Sequence, residues 1–272
     1  MRPHNLQALL SLSLIALAAC GGGGGSSPSA LPAMPQAAAT AAPIVYAALG
    51  DSITAGGSAT APQFYYANVL GATLGAASTT DLGIPGEFSG PVNFPDNGLQ
   101  ITYGGVLADE VPQIPTNATL VTLYIGTNDY TFLGNLGILP DYSNAMTVEE
   151  GVASQYAANI AGIIAGIQIR APKARIVVAT VPNESWRAIN RTEPLIARQA
   201  GAYLVDAFKS ALIATGLTVV DLLCEPGMYD ETNFGGPYNV HPNNAGHAII
   251  AADFLAQIAH PTPPGHCQYE GP

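Results

Sequence analysis

The chain has 272 residues, of which 48% are apolar and only 10% are charged, against roughly 25% charged in an ordinary globular domain. There are 8 lysine and arginine residues against 19 aspartate and glutamate residues, and the formal net charge is −11. Because binding to nucleic acid requires clustered cationic side chains on the phosphates, this balance excludes a nucleic acid as an expected partner.

The first 19 residues have the pattern of an export signal. The only long apolar run, Ala8–Ala19, follows Arg2 and His4 and is shorter than the ~20 residues that span a bilayer. We therefore assign residues 1–19 to a signal peptide and expect no transmembrane helix.

The end of that run, Leu17-Ala18-Ala19-Cys20, resembles a bacterial lipobox. In a lipobox the signal is cleaved before the cysteine, and the cysteine thiol carries the lipid. The resemblance implies an exported protein with a lipid on Cys20, anchored to the bacterial cell envelope at the outer membrane or cell surface. That lipid is the only membrane contact that we expect. A plain secretory signal with a chance cysteine is the alternative.

Residues 21–43 are rich in Gly, Ala, Pro and Ser and contain no charge. Such a composition cannot build a core, and a flexible coil of this length holds a domain roughly 25 Å from its anchor. We assign residues 20–43 to the lipidated cysteine and a flexible tether, and residues 44–272 to one folded domain.

Two cysteines, Cys224 and Cys267, remain in that domain. An even pair in an oxidising compartment predicts a disulfide, with two free thiols as the alternative. The sequence lacks the common metal-binding motifs Cys-x-x-Cys, His-Glu-x-x-His and an Asp-rich calcium loop, so we expect no metal site.

Three short apolar runs without alternation predict strands that are covered on both faces. They are Ile44–Leu49, Thr119–Ile125 and Ile176–Val181, and Ala202–Val205 is a weaker fourth candidate.

Two helical patterns accompany these strands. Apolar residues spaced by three and four predict a helix over Val152–Ile167, with Thr147 and Glu150 as its capping box. A last helix is predicted from about Asn243. The alternation of strands and helices predicts an α/β fold, a three-layer α/β/α sandwich with a mostly parallel sheet. Residues 75–107, rich in glycine and proline, are predicted to form loops around a pocket.

Two polar motifs follow the first two strands, at the sheet edge where ligands bind in such folds. Gly50-Asp51-Ser52 places a serine where its hydroxyl can act as a nucleophile and its N–H as an oxyanion donor. Gly126-Thr127-Asn128-Asp129 places a carboxamide that can donate to the same oxyanion. Each motif alone also fits a structural turn.

One histidine is well placed to serve as the base for this serine. His241 precedes Pro242-Asn243, on the loop that enters the last helix. The other histidines are expected in the signal, inside the last helix or in the proline-rich C-terminal tail: His4, His247, His260 and His266.

Together and in this order, the motifs resemble the GDSL or SGNH hydrolase family. Gly50-Asp51-Ser52 resembles its first block, the loop glycine Gly86 its second, the Asn128 motif its third and His241-Pro242-Asn243 its fifth. The resemblance covers nearly all of residues 44–272 and implies an SGNH-type hydrolase domain of flavodoxin-like architecture.

The resemblance implies an esterase or lipase without a cofactor. Ser52 is the expected nucleophile, which carries the acyl group, and His241 is the expected general base. The Ser52 N–H, the Gly86 N–H and the Asn128 side chain are the expected oxyanion hole, and the expected substrate is a small-molecule or lipid ester. Polysaccharide deacetylation, thioester hydrolysis and a catalytically weak binding lipoprotein are the alternatives.

One position departs from the family pattern. The family usually has an aspartate three residues before the histidine, where its carboxylate orients the imidazole, but this chain has Tyr238 there. Either a neutral acceptor such as a backbone carbonyl orients His241, which we favour, or Asp230 or Glu231 folds in from the preceding loop.

The substrate is selected by the pocket walls, for which we consider residues 75–107 and 133–146. Apolar residues in or beside these stretches fit an acyl chain, an aromatic ester or core packing equally well: Phe88, Phe94, Phe132 and Leu133.

Overall fold

A computed structural model gives the structure of residues 42–96, 99–135, 144–187, 194–236 and 239–271. The predicted signal peptide, Cys20 and nearly all of the predicted tether lie outside these ranges, and so does Tyr238. The signal, the lipid and the tether therefore stay predictions.

A parallel sheet forms the centre of the domain. The strands in chain order are β1 (Val45–Gly50), β2 (Ser78–Asp81), β3 (Val92–Asp96), β4 (Leu99–Tyr103), β5 (Leu120–Tyr124), β6 (Arg175–Ala179) and β7 (Thr218–Val220). Five of them pair in the order β2-β1-β5-β6-β7, and each of these pairs is parallel. The three apolar runs predicted as strands are β1, β5 and β6, and β5 is buried along its whole length.

Two helical layers cover this sheet. The described α-helices are α1 (Tyr66–Thr73), α2 (Val106–Asp109), α3 (Ala145–Arg170), α4 (Leu195–Ala214) and α5 (Asn244–Ala259). Helix α3 packs against α4, and α1 packs against α5. The predicted three-layer α/β/α sandwich is therefore confirmed, and the burial of both sheet faces explains why its central strands are apolar without alternation.

The fourth strand candidate, Ala202–Val205, is wrong. These residues lie in the middle of α4, where Ala202, Leu204 and Val205 are buried. Four apolar residues suit a buried helix as well as a strand, so the run alone does not separate the two.

Two further expectations need correction. Residues 75–107, predicted as loops, contain β2 and the antiparallel hairpin of β3 and β4. Because β2 lies at the edge of the sheet, its polar residues lack the pattern of a buried strand. The predicted capping box is wrong because α3 begins at Ala145 without a side-chain cap, which places Thr147 and Glu150 inside the helix.

Helix α3 is the one described helix long and apolar enough to cross a membrane, judged by length and composition alone. Its predicted apolar stripe is buried in the core of this domain: Tyr156, Ile160, Ile163 and Ile167. Packing inside the domain therefore accounts for the apolar character of this helix.

The two cysteines of the domain are joined, as predicted. Cys224 and Cys267 form a disulfide across 43 residues of sequence. Closing a loop of that length stabilises a fold by about 4 kcal/mol on the chain-entropy relation. Lys209 of α4 links the same two segments of the chain, because its ammonium group pairs with Asp221 at 2.8 Å and with Glu270 at 2.6 Å.

Candidate active site

The turn after β1 presents Ser52 at the carboxyl end of the sheet. The Asp51 carboxyl group accepts a hydrogen bond from the Ile53 N–H at 2.9 Å, and the Gly57 N–H donates to the Ser52 carbonyl at 2.7 Å. These two bonds fix the backbone around the serine, which is half-buried.

The loop before α5 brings His241 to this serine. Asn243 caps α5 by accepting hydrogen bonds from the Ala245 and Gly246 N–H groups, which fixes the start of that helix. The Nε2 atom of His241 lies 2.7 Å from the Oγ atom of Ser52, across 189 residues of sequence. The two residues predicted to form a nucleophile and its base are therefore in hydrogen-bond contact.

The loop that carries Gly86 is fastened to Asn128. The Asn128 amide donates to the Glu87 carbonyl at 2.7 Å, and Gly86 adopts a φ of +86° where a Cβ atom would collide with the Tyr103 hydroxyl. Among the described residues, the backbone N–H groups of Ser52 and Gly86 donate to no acceptor. Two of the predicted oxyanion donors are thus free for a ligand.

Sequence reasoning missed four further hydrogen bonds that hold this loop. Asp129 accepts from the Ser89 N–H at 2.9 Å and from the Ser89 hydroxyl at 2.6 Å, and Asn159 donates to that hydroxyl at 3.0 Å. On the opposite side, the Ile84 N–H donates to the Gly50 carbonyl at 2.9 Å. The loop is therefore held between the ends of β1 and β5. The one sequence signal for these bonds is the aspartate of the second motif.

A neutral side chain contacts the second ring nitrogen of His241. Its Nδ1 atom lies 2.8 Å from the Asn239 Oδ1 atom, whereas the carboxylates of Asp230 and Glu231 bond elsewhere. The contact at Nδ1 is therefore with a neutral acceptor, as we favoured, although this acceptor is a side-chain amide rather than a backbone carbonyl. Burial lowers the pKa of His241, which keeps the imidazole neutral near pH 7 and able to accept a proton.

Gly57 and His247 support the His241 ring. His247 lies buried in α5; its Nδ1 atom accepts from the Tyr66 N–H at 3.3 Å, so its Nε2–H donates to the Gly57 carbonyl at 3.2 Å. A Cβ atom on Gly57 would lie 2.5 Å from the His241 Cδ2 atom and 2.9 Å from the Ser52 carbonyl oxygen. Only glycine leaves room there for the ring.

A buried carboxyl group holds the end of β1. Glu110 accepts the Gly50 N–H at 2.7 Å, and its other oxygen has no partner among the described residues. Burial, with smaller contributions from Glu87, Asp51 and Asp81, raises the pKa of Glu110 to about 9. Glu110 is therefore protonated in the folded protein at neutral pH.

The Glu110→Gln variant is expected to be more stable than the wild type at alkaline pH. When folding raises the pKa of a carboxyl group, the contribution of that group to stability is most favourable at a pH below its ordinary pKa of about 4.5. This contribution is lost as the pH rises toward the folded-state pKa of about 9. Glutamine keeps an acceptor for Gly50 and cannot ionise. As the pH rises from about 5 to about 9, the unfolding free energy of the variant should therefore increase relative to that of the wild type by at least about 1.4 kcal/mol.

Urea unfolding at both pH values measures this gain. The matched control is Glu150→Gln, because Glu150 is exposed on α3. A pH dependence that is equal in the wild type and in Glu110→Gln would contradict the prediction.

The aromatic residues considered for the pocket walls fall into two groups. Phe88 is buried and packs edge-on against Tyr103 and Phe132, so it belongs to the core, whereas Phe132 is 37% exposed. The Phe94 side chain and most of residues 133–146 lie outside the described part of the chain.

The model of the GDSL-like Lipase/Acylhydrolase family matches residues 48–249. No curated protein matches the sequence. Among solved structures, the chain is similar to phospholipase A1 from Streptomyces albidoflavus NA297, with 18% identity, 80% of this chain and 98% of that chain covered, and a TM-score of 0.57. The extracellular lipase from Streptomyces rimosus has 19% identity, 80% and 99% coverage, and a TM-score of 0.55.

An acetyl xylan esterase is similar as well, with 16% identity, 79% and 100% coverage, and a TM-score of 0.52. At such identities the structural likeness shows a shared fold. The family match is broader evidence, because Ser52, Gly86, Asn128 and His241 all fall within the matched residues. With the predicted motifs in order and more than half of its length matched, the chain belongs to the GDSL-like lipase/acylhydrolase family.

Proposed function

We propose that the protein is a serine hydrolase that cleaves carboxylic esters, as an esterase or lipase, through an acyl intermediate on Ser52. The observation that carries this proposal is the 2.7 Å contact between the Ser52 Oγ atom and the His241 Nε2 atom. The free N–H groups of Ser52 and Gly86 support it, since an ester carbonyl oxygen needs such donors as it becomes an oxyanion.

In the proposed reaction one proton passes between Ser52 and His241. His241 accepts the hydroxyl proton at Nε2 while the Ser52 Oγ atom attacks the ester carbonyl carbon. The oxyanion takes hydrogen bonds from the Ser52 N–H, the Gly86 N–H and the Asn128 amide. The imidazolium then protonates the leaving alkoxide, and the alcohol departs. Water, deprotonated by His241, attacks the acyl carbonyl carbon. The bond from that carbon to the Ser52 Oγ atom breaks, the imidazolium returns its proton to Oγ, and the product leaves as the carboxylic acid.

We propose a neutral ester, of a small molecule or a lipid, as the substrate. The formal net charge of −11 disfavours polyanionic substrates, and the partly exposed Phe132 supplies apolar surface close to the Asn128 motif. The similar solved structures include a phospholipase A1, a lipase and an acetyl xylan esterase. Long acyl chains and acetyl groups are therefore both compared in the test.

A substrate panel tests the proposed chemistry. It contains p-nitrophenyl esters from acetate to palmitate, a phospholipid, an acetylated xylan and an acyl thioester. We expect hydrolysis of the p-nitrophenyl esters and covalent labelling of Ser52 by a fluorophosphonate probe. Hydrolysis of the xylan or the thioester alone would favour the corresponding alternative, and the absence of both hydrolysis and labelling would favour a binding lipoprotein.

We also propose that the protein is exported and anchored by a lipid on Cys20, at the bacterial outer membrane or cell surface. The apolar run before Cys20 and the uncharged stretch after it support this location. So does the disulfide between Cys224 and Cys267, which is typical of oxidising compartments. Metabolic labelling with an alkyne fatty acid should mark the wild type and not the Cys20→Ser variant; a wild type without label would contradict the anchor.

The Gly57→Ala variant is expected to lower kcat for p-nitrophenyl acetate about tenfold. The added methyl group displaces the His241 ring from Ser52, and small errors in the position of a catalytic group are costly. The control is Gly151→Ala in α3, where a Cβ atom meets nothing within 4 Å. Equal kcat in Gly57→Ala and in the wild type would show that the ring tolerates this displacement.

A further inference from the structure

Asn239 presents an oxygen atom to the histidine of the site, and the contacts fix its identity as oxygen. The backbone N–H of His241, which is always a donor, lies 2.9 Å from this atom. An amide nitrogen cannot accept that bond, so the atom is the side-chain oxygen Oδ1 of Asn239. The nearby Nδ1 atom of His241 therefore carries a proton. The Nε2 atom is then free to accept the proton of Ser52.

The other end of the Asn239 amide is held by Ser58. The Nδ2 atom of Asn239 donates to the Ser58 Oγ atom at 2.9 Å. Ser58 has a φ of +63° and is the one non-glycine residue with positive φ among the described residues. Such a conformation is unfavourable for serine and persists where the surrounding structure requires it. This strained residue supplies the hydroxyl that meets Asn239.

A buried arginine anchors the backbone of the same residue. The Arg187 Nη1 atom donates to the backbone carbonyl oxygen of Asn239 at 2.7 Å, and Arg187 is fully buried. Its guanidinium pairs with Glu184 at 3.2 Å and Glu231 at 2.5 Å, and it lies 3.8 Å above the Phe234 ring. The position of Asn239 is therefore fixed through both its main chain and its side chain.

We propose that Asn239 is the positioning residue of His241, the neutral third member of a Ser52–His241–Asn239 triad held in place by Ser58 and Arg187. This inference rests on the proposed serine hydrolase function. An amide oxygen sets the tautomer and orientation of the imidazole as a carboxylate does, but it adds no negative charge to stabilise the imidazolium.

A neutral partner predicts a particular pH dependence. The other charged and titratable groups at this loop are Arg187, which is already paired with two glutamates, and the buried His247. Burial lowers the pKa of His241, and no carboxylate among the described residues bonds to its ring. Activity should therefore persist below the ordinary histidine value of about 6.5. A carboxylate at position 239 should move the acidic limb of the pH profile upward.

The pH dependence of kcat/KM for p-nitrophenyl acetate tests the proposal in the full chain. We expect the acidic limb in Asn239→Asp to lie about one pH unit or more above that of the wild type. Asn239→Ala should lose about tenfold in kcat with KM nearly unchanged, because the base is disordered while substrate binding is not. Asn68→Asp adds the same charge on α1, where Asn68 bonds the Pro62 carbonyl, and should leave the limb in place.

An acidic limb that stays in place in a folded Asn239→Asp protein would overturn the proposal. If circular dichroism shows that this variant is unfolded, Asn239→Ala decides the question, since a kcat equal to that of the wild type overturns it as well. Failure of the proposed function is distinct from both results, because then the wild type hydrolyses no ester and is not labelled at Ser52.

Discussion

Replacing Ser52 or His241 with alanine is expected to lower kcat for p-nitrophenyl esters by about 10⁴–10⁶-fold. The first change removes the oxygen that forms the acyl bond, and the second removes the base that lies 2.7 Å from that oxygen. Because both residues act on the same proton, losing either one stops the same step. The double variant should therefore be no slower than the single variants.

Kinetics of the two single variants and the double variant measure this non-additivity. Ser154→Ala in α3 and His260→Ala just beyond α5 are matched controls, since both side chains are exposed. If Ser52→Ala kept more than about a tenth of the wild-type rate, Ser52 would not be the nucleophile. Multiplied losses in the double variant would mean that the two residues act in separate steps.

The net negative charge of the folded protein differs from the charge that the composition indicates. The formal net charge of −11 counts every carboxyl group as ionised. Burial raises the pKa of several of them, to about 9 for Glu110 and to about 8 for Glu149. The folded protein therefore carries less negative charge near pH 7 than its composition indicates. Electrostatic exclusion of acidic substrates is correspondingly weaker than the sequence alone predicts.

The pairing of Ser52 with His241 could be predicted because each residue has a local signal. Ser52 and Asn128 follow apolar runs that form neighbouring strands, β1 and β5, and a parallel sheet brings the carboxyl ends of its strands to one edge. His241 precedes the Asn243 cap of α5. Periodicity, strand ends and helix caps are local patterns, so the sequence contains enough to place these residues at the same edge.

The support for His241 could not be predicted in the same way. Asn239 reaches Ser58 across 181 residues and Arg187 across 52 residues, and neither partner stands in a motif. Arginine is usually exposed in folded proteins, yet Arg187 is fully buried. Such contacts depend on how loops meet after folding, which periodicity and capping patterns do not encode.

The Asn128→Ala variant is expected to lower kcat by about 10²–10³-fold with a smaller change in KM. The amide of Asn128 has two N–H groups, and one of them donates to the Glu87 carbonyl at 2.7 Å. The second is proposed to meet the oxyanion, whose charge is largest in the transition state, so its loss should slow turnover more than it weakens binding.

Alanine at position 128 also removes the bond to Glu87 and loosens the loop that carries Gly86, so activity alone does not separate the two roles. Asn128→Asp is the more stringent test of the oxyanion role, because it removes both donor bonds and also places a negative charge beside the oxyanion. We expect this variant to be at least as slow as Asn128→Ala, with Asn68→Ala in α1 as the control. If Asn128→Asp turned over esters at more than about a tenth of the wild-type rate, Asn128 would not be an oxyanion donor, and the free N–H groups of Ser52 and Gly86 would form the hole alone.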